Sequence, residues 1–500
     1  MVFWPPALLL VIAVLYGIVA FDQFLAITTA ANSWILGTFD WLFTGASFVA
    51  VLILVAVFIS PLGKVRLGGH EAKPILSRWN WFAITLCTTV AIGILVWGPA
   101  EPIFHHSAPP GFTGHLPESP EAARFAMSSL FLHWTITPYC LYAMIALAFA
   151  LAFHNHGRAY SISSPITLLF GSTVKQGWHD GVDAISVFAL VAGVAAALGV
   201  GVMSIAGGLE RLAGISDTLT SRILITLTIV TAFIISSVSG LQRGIKWLSD
   251  INARIFIAIA LFVFVMGPTL EIMQLAAFGF KDFIVNFIPA SLPHGARAAD
   301  PWTQDWTVFF FANWLAWAPV TALFLGRIAI GYTVREFLTF NVLIPVIFST
   351  LWMSILGGAA LELNHSEGGT LTRILQSDGT DAIAYALLSS LPAFSIVGSI
   401  FLITLFISFV TAMDSNTLSL SGLFLKNSAI AESSFSAENK IKIFSGALIG
   451  SVSIVMTGTT GIEGVRMLSN LGGLPGLFIL ILSGALLVKL MISSIRTKDS

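Results

Sequence analysis

The sequence predicts an all-α integral membrane protein of twelve transmembrane helices, and three observations carry that prediction. Of the 500 residues 56% are hydrophobic and only 10% are charged, with a mean hydropathy of +0.90, a composition outside the soluble class. Charges fall between apolar runs of the length, about 20 residues, that crosses a bilayer. The basic residues are also shared unevenly among the intervening loops, as the positive-inside rule expects of a multi-pass chain.

Taken in order, the apolar stretches are residues 1–21, 41–63, 79–100, 125–157, 184–209, 223–242, 255–270, 306–326, 337–361, 382–413, 443–462 and 467–488. The first has no basic flank and no small-residue cleavage site, so it reads as a spanning helix and not as a removed signal peptide. The seventh is short as drawn, and residues 270–275 extend it. With both termini cytoplasmic, 17 of the 24 Lys and Arg residues lie inside and seven (Arg124, Arg211, Arg222, Lys281, Arg297, Arg373 and Arg466) lie outside. An odd number of spans would destroy that asymmetry. Both tails are short, so no soluble domain and no osmosensing tail is expected.

Composition excludes several functions. The scattered basic residues form no patch for nucleic acid, and no Gly-rich stretch runs into Lys-Ser or Lys-Thr, which excludes ATP coupling on this chain. Cys87 and Cys140 lie within apolar runs and read as packing residues. Glu101 reads as the outer end of the third helix, and His105 and His106 as loop residues after it; with no neighbouring Cys or acid in sequence, neither metal nor cofactor is expected.

One uncharged stretch stands out: Asn313-Trp314-Leu315-Ala316-Trp317-Ala318-Pro319. Two tryptophans three apart share a helix face, and a proline just beyond them frees a carbonyl that needs a neighbour, water or a ligand. The segment reads as the wall of a binding site. Trp97-Gly98-Pro99 echoes Trp317-Ala318-Pro319 at an offset of 220 residues. The same offset carries Ala195-Ala196-Ala197 onto 415–417, beside the hydroxyl-bearing run from Thr411. Five spans separate the two copies, and an odd number inverts the second in the membrane, the construction of many secondary transporters.

A second aromatic cluster lies in the fourth span, where His133-Trp134 is followed by Tyr139 and Tyr142. With Trp314, Trp317 and Trp97 these rings suggest a cage for a quaternary ammonium, which cannot hydrogen-bond and is recognised by ring faces; the alternative for the tyrosines is anchoring at the lipid interface. Asp414 is the acid placed within a span, expected either to cap or gate or to pair with Arg327 or Arg335.

These motifs resemble the betaine/choline/carnitine transporter family, over most of the chain. Trp97-Gly98-Pro99-Ala100-Glu101-Pro102, His133-Trp134 through Tyr142, Leu198-Gly199-Val200-Gly201, Trp314 through Pro319 with Arg327 and Arg335-Glu336-Phe337, and Phe409-Val410-Thr411 with Asp414-Ser415 are similar to its signatures. The resemblance implies a sodium-symporter-like fold: two peripheral helices within 1–63, then inverted repeats over 79–275 and 305–492, often assembled as trimers in the plasma or inner membrane. It implies a secondary transporter of betaine, choline, carnitine or a related osmolyte, working by alternating access. By matched position Trp134, Tyr139, Tyr142, Trp314 and Trp317 stand at the family's aromatic box, with Tyr139 replacing a tryptophan and Trp97 in the third-span aromatic place.

Three departures matter. Asn313 replaces the first tryptophan of a Trp-Trp pair and puts an amide in the box. Thr89 to Gly93 keeps one glycine, Gly93, where the family has three, so a stiffer helix is expected there in place of local unwinding. Alanines at 195–197 and 412 stand where sodium-coupled members carry hydroxyls, leaving Thr411 and Asp414 as ion-coupling candidates beside Gly93. Sodium needs several oxygen ligands, so weak or absent sodium coupling is expected, with proton coupling or exchange in its place. A receptor without transport is the alternative class, and an enzyme, with no catalytic residue assigned, comes last.

Overall fold

The computed structural model describes residues 2, 4–89, 93–171, 175–238, 242–424 and 435–496. Among them the chain is helical, in the order α1 (Trp4–Val19), α2 (Phe21–Ile59), α3 (Arg78–Thr89), α4 (Gly93–Ser107), α5 (Pro120–Trp134), α6 (Ile136–Ala150), α7 (Ser164–Phe170), α8 (Gln176–Ala213), α9 (Leu219–Val238) and α10 (Gln242–Met266). There follow α11 (Thr269–Val285), α12 (Phe287–Ser291), α13 (Ala296–Ala299), α14 (Phe309–Ile328), α15 (Val334–Leu338), α16 (Ile344–Ser366), α17 (Thr370–Asp378), α18 (Thr380–Ser389), α19 (Phe394–Phe424), α20 (Phe435–Thr460) and α21 (Ile462–Arg496). Among the described residues ten helical stretches, some joining neighbouring elements as in Pro120–Asn155, are long and apolar enough to cross a membrane, or up to twelve if the bent pairs α3/α4 and α11 with α12–α13 each count as one span; the first expected span, 1–21, is the 16-residue α1 and is not among them.

Four expected boundaries are corrected, each for a local reason. The second span begins at Phe21 and runs 39 residues; Asp22 and Asp40 do not end it, because Asp40 finds a partner in the side chain of Gln304 at 2.9 Å. Residues 270–275 do not extend the seventh span: α10 stops at Met266, Gly267-Pro268 interrupts it, and they belong to α11. Proline has no N–H to continue a ladder. The tenth span is two helices, α18 and α19, parted at Pro392 and at Ala393, whose φ of +58° is left-handed. The fourth span breaks at Thr135, with φ −118° and ψ −109°, so Trp134 and the two tyrosines stand on different helices. His105 and His106 are not loop residues; they close α4.

The offset of 220 residues seen between Pro99 and Pro319 also relates the helices. Shifted by it, α4 falls within α14, α8 and α9 fall on α19 and α20, and Gln242 at the start of α10 falls on Ile462 at the start of α21. The short α7 falls on the short α18. Burial separates core from rim: 94% of the apolar window ending in α14 is inside the protein, against 39% for α2. On the rim, Trp4, Ile12, Val19, Trp34 and Trp41 of α1 and α2 are exposed, as a lipid-facing surface requires.

Glycines let α21 and α8 close on α14. A methyl at Gly476 would lie 2.1 Å from the Leu315 carbonyl, one at Gly473 2.4 Å from that of Ala312, and one at Gly193 2.8 Å from Ala316 Cβ. Leu315 is the residue whose carbonyl Pro319 leaves without a helical donor. Small residues at such contacts are how membrane helices approach, since lipid supplies no hydrophobic drive between them. On one face, an antiparallel bridge between Arg66 and Thr333 ties the α2–α3 loop to the α14–α15 turn.

Candidate functional site

The residues singled out in sequence meet around one cavity. It leaves a free volume of about 60 Å³ and is lined by Thr88, Thr89, Gly93, Trp97, Trp134, Tyr142, Ala197, Val200, Phe309, Asn313, Trp314, Trp317 and Val465. Six of the seven expected substrate residues are on that list. Tyr139 is behind the wall, its ring 5.6 Å from that of Trp314.

Trp314 is the shared wall. Its ring meets Trp134 at 5.6 Å and 68°, and Tyr142 at 5.3 Å and 70°, the edge-to-face arrangement favoured by the ring quadrupole. Walls at these angles make a box around the cavity they line. Trp97 closes another side, packed edge-on against Phe310 at 5.5 Å and Trp306 at 6.0 Å. Asn313 lines the same space, with its Oδ1 3.1 Å from Ser469 Oγ.

The break at Thr135 positions Trp134. Pro138 cannot donate to the Trp134 carbonyl four residues back, and Ser349 Oγ takes its place at 2.6 Å. Gly93 lets the indole in, since a Cβ there would stand 2.6 Å from it. Residues 90–92, part of the segment expected to be stiffer than in the family, lie outside the described residues.

Sequence reasoning missed what lies one turn beyond Trp97. Glu101 does not end a helix in solvent: it is fully buried, together with His133 and His105. Its Oε2 accepts from Trp134 Nε1 at 2.7 Å, and its Oε1 contacts His133 Nδ1 at 2.5 Å and His105 Nε2 at 3.3 Å. The available signal was the i, i+4 spacing of Glu101 and His105, which puts both on one face of α4. The three ligand-type atoms lie within 4.8 Å of one another, but a metal at 2.0–2.1 Å from each would hold them more than 3 Å apart. The 2.5 Å contact is a hydrogen bond and leaves no room for an ion.

Of the three ion-coupling candidates Gly93 lines the cavity, while Thr411 and Asp414 do not. Thr411 Oγ1 donates to the Ile407 and Ser408 carbonyls of its own helix, at 2.9 and 3.0 Å. Asp414 accepts from the Ser236 hydroxyl of α9; Arg335 instead donates to the Phe58 carbonyl at 2.9 Å, and Arg327 lies over Tyr160, so neither expected ion pair is formed. Thr88 Oγ1, which does line the cavity, donates to Ser415 Oγ at 3.1 Å.

Known proteins with this pattern are transporters. The chain is 29% identical to the glycine betaine transporter OpuD of Bacillus subtilis over 486 residues, 96% of this chain and 92% of that one. It is 29% identical to an ectoine/hydroxyectoine transporter of Virgibacillus pantothenticus, over 98% of this chain and 96% of that one. It is also 29% identical to a glycine betaine/proline/choline transporter of Vibrio parahaemolyticus, over 92% and 84%. A solved structure of a Na⁺-coupled sialic acid symporter in a substrate-bound outward-open state superposes with a TM-score of 0.53 at 14% identity, covering 90% of this chain and 87% of that one, which establishes the sodium-symporter-like fold. A family model matches residues 1–495; with the aromatic box, the helix pattern and these relatives, the chain belongs to the betaine/carnitine/choline family of transporters.

Proposed function

We propose that this multi-pass membrane protein carries a small osmolyte with a cationic nitrogen, of the glycine betaine or choline type, through the box around Trp314. The single observation behind the substrate class is that Trp134, Tyr142, Trp314 and Trp317 line one cavity, two of them edge-on to Trp314. Such faces stabilise a desolvated quaternary ammonium by about 2 kcal/mol or more. Asn313 adds a donor suited to a carboxylate or hydroxyl on the substrate. The relatives are named for moving such solutes, which favours transport over a receptor and gives no ground for assigning catalytic residues.

Transport proceeds by alternating access between repeats spanning 79–275 and 305–492, with 1–63 at the periphery, both termini cytoplasmic, and homotrimers in the bacterial plasma or inner membrane as the family implies. Sodium plays little part, because Ala195, Ala196 and Ala412 offer no side-chain oxygen; a sodium-dependent uptake rate in proteoliposomes would refute that. The test of the substrate site is Trp314→Ala. It abolishes saturable uptake of glycine betaine and choline while the protein remains in the membrane. Unchanged uptake kinetics would sink the assignment.

A further inference from the structure

The buried Glu101–His105–His133 network has hydrogen bonds that dictate where its protons are. Indole nitrogens only donate. Trp302 Nε1 contacts His105 Nδ1 at 3.1 Å, so that Nδ1 is bare and His105 donates Nε2–H to Glu101 Oε1. Trp134 donates to Glu101 Oε2, so the carboxylate accepts on both oxygens, and His133 Nδ1–H donates to it as well. One position is left open, His133 Nε2, which faces Thr307 Oγ1 at 3.0 Å. A hydroxyl donates or accepts. It gives its proton's bond to the bare nitrogen and accepts from the protonated one, so this contact is satisfied in both states.

Without the extra proton the network itself carries one negative charge on side chains no more than 1% exposed; with it the network is neutral. A buried unpaired charge costs several kcal/mol. The charged groups that face it are Arg466, beside His105 and paired with Glu463 at 3.1 Å, and Arg297, beside His133 and stacked over Phe112 at 4.6 Å. Asp305, on the segment leading into α14, lies near Arg466, Glu463 and Asp300. Glu121 and Arg124 of α5 and Asp282 of α11 line, with Arg297 and Trp302, an open pocket of about 260 Å³, and Trp302 stands between it and His105. His106 and His365 form a separate group around Asn364 and Glu118, and Asp381 of α18 faces Arg211 and Arg222.

We propose that this network is the coupling-ion site of the transporter: it takes one proton, at His133 Nε2, from water on one side of the membrane and returns it to water on the other. Only an N–H bond is made and broken, and nothing is oxidised or reduced. Sharing of that proton with Glu101 across the 2.5 Å contact leaves the count at one. Both ends of the network touch the transport machinery. Glu101 holds the Trp134 wall, and Thr307 lies two turns before Trp314, in a π-type stretch (Thr303–Val308) that runs straight into α14. This inference rests on the transporter reading above.

The test uses the full-length protein in sodium-free proteoliposomes that trap a pH-sensitive dye, with glycine betaine and choline as probes. Wild type acidifies the lumen as substrate enters, and an inward proton gradient raises the initial uptake rate several-fold. His133→Asn keeps a donor toward Glu101 but has no titrating nitrogen, and loses both effects. Thr307→Ser keeps them and Thr307→Val loses them, which carries the test if His133→Asn does not fold. Uptake by wild type with no acidification and no response to the gradient overturns the proton site and leaves the transporter intact, as does equal coupling in the two Thr307 variants. A wild type that takes up neither probe, with or without sodium or a gradient, overturns the transport of these solutes itself.

Discussion

Gly93→Ala tests the box at its tightest point. A Cβ added there would stand 2.6 and 2.7 Å from Cη2 and Cζ3 of Trp134, where ordinary contact begins near 3.4 Å. The indole must therefore retreat by about 0.8 Å, the difference between the shorter contact and that limit. It is poorly free to do so, because its far edge is held by Glu101 at 2.7 Å and its ring packs on Phe310 at 5.1 Å and Trp314 at 5.6 Å. Overpacking of this kind costs about 1–3 kcal/mol. The opposing gain in helix propensity, up to about 1 kcal/mol within a helix, is smaller at Gly93 because it is the first residue of α4.

Since the displaced group is a wall of the cavity, the cost falls on the liganded state, and about 1–3 kcal/mol corresponds to about 5- to 150-fold in Kd. Thermal-shift titration of purified wild type and Gly93→Ala with glycine betaine and choline, in sodium-free buffer, reads that ratio through ligand-linked stability. An unchanged Kd in the folded variant would refute the packing argument. If the affinity changed only when sodium was added, Gly93 would belong to ion coupling and not to the box.

Other substitutions separate substrate contacts from scaffold. Asn313→Ala removes the side-chain amide from the cavity lining and is expected to weaken glycine betaine by about 10- to 150-fold, the worth of one hydrogen bond to a charged group, and choline less; equal losses for both solutes would show that Asn313 does not see the carboxylate. Ser349→Ala strands the Trp134 carbonyl, a loss of about 1–3 kcal/mol, and should lower both the unliganded Tm and ligand affinity, while Ser349→Thr restores them. Gly476→Ala places a methyl 2.1 Å from the Leu315 carbonyl oxygen and 2.8 Å from its carbon, and backbone cannot yield as a side chain can. That variant is expected to give little monodisperse protein on size-exclusion chromatography, and a wild-type profile would count against the close approach of α21 and α14.

Local chemistry made much of this protein legible from sequence. Apolar runs cut by charges located most of the spans, because a bilayer tolerates few charges and demands a minimum length. Trp134, Tyr142, Trp314, Trp317, Trp97 and Asn313 converge on one cavity because aromatic rings and an amide beside prolines have little reason to be within spans unless a ligand or another helix meets them. The helix interruptions at Pro268, Pro392 and Pro138 were equally written in the chain, yet their effect on span boundaries was not, since a proline kinks, breaks or merely starts a helix according to what receives the freed carbonyl.

Burial and partnership were decided only in three dimensions. Glu101, flanked by Pro99 and Pro102, reads as a helix end in sequence; α5 brings His133 and Trp134 against it from 32 and 33 positions away, and the segment leading into α14 supplies Thr307 and Trp302. Tyr139 and Tyr142 share a helix, but packing on Trp314 sends one behind the wall and leaves the other in it. Charge alone allowed Asp414 to pair with Arg327 or Arg335, which geometry sends to Tyr160 and the Phe58 carbonyl, while the Ser236 hydroxyl donates to Asp414. Sequence by itself determined which residues are able to bind a cation or hold a proton, because that ability resides in the side chain; tertiary structure decided which of them do so together, because desolvation and hydrogen-bond geometry depend on neighbours distant in the chain.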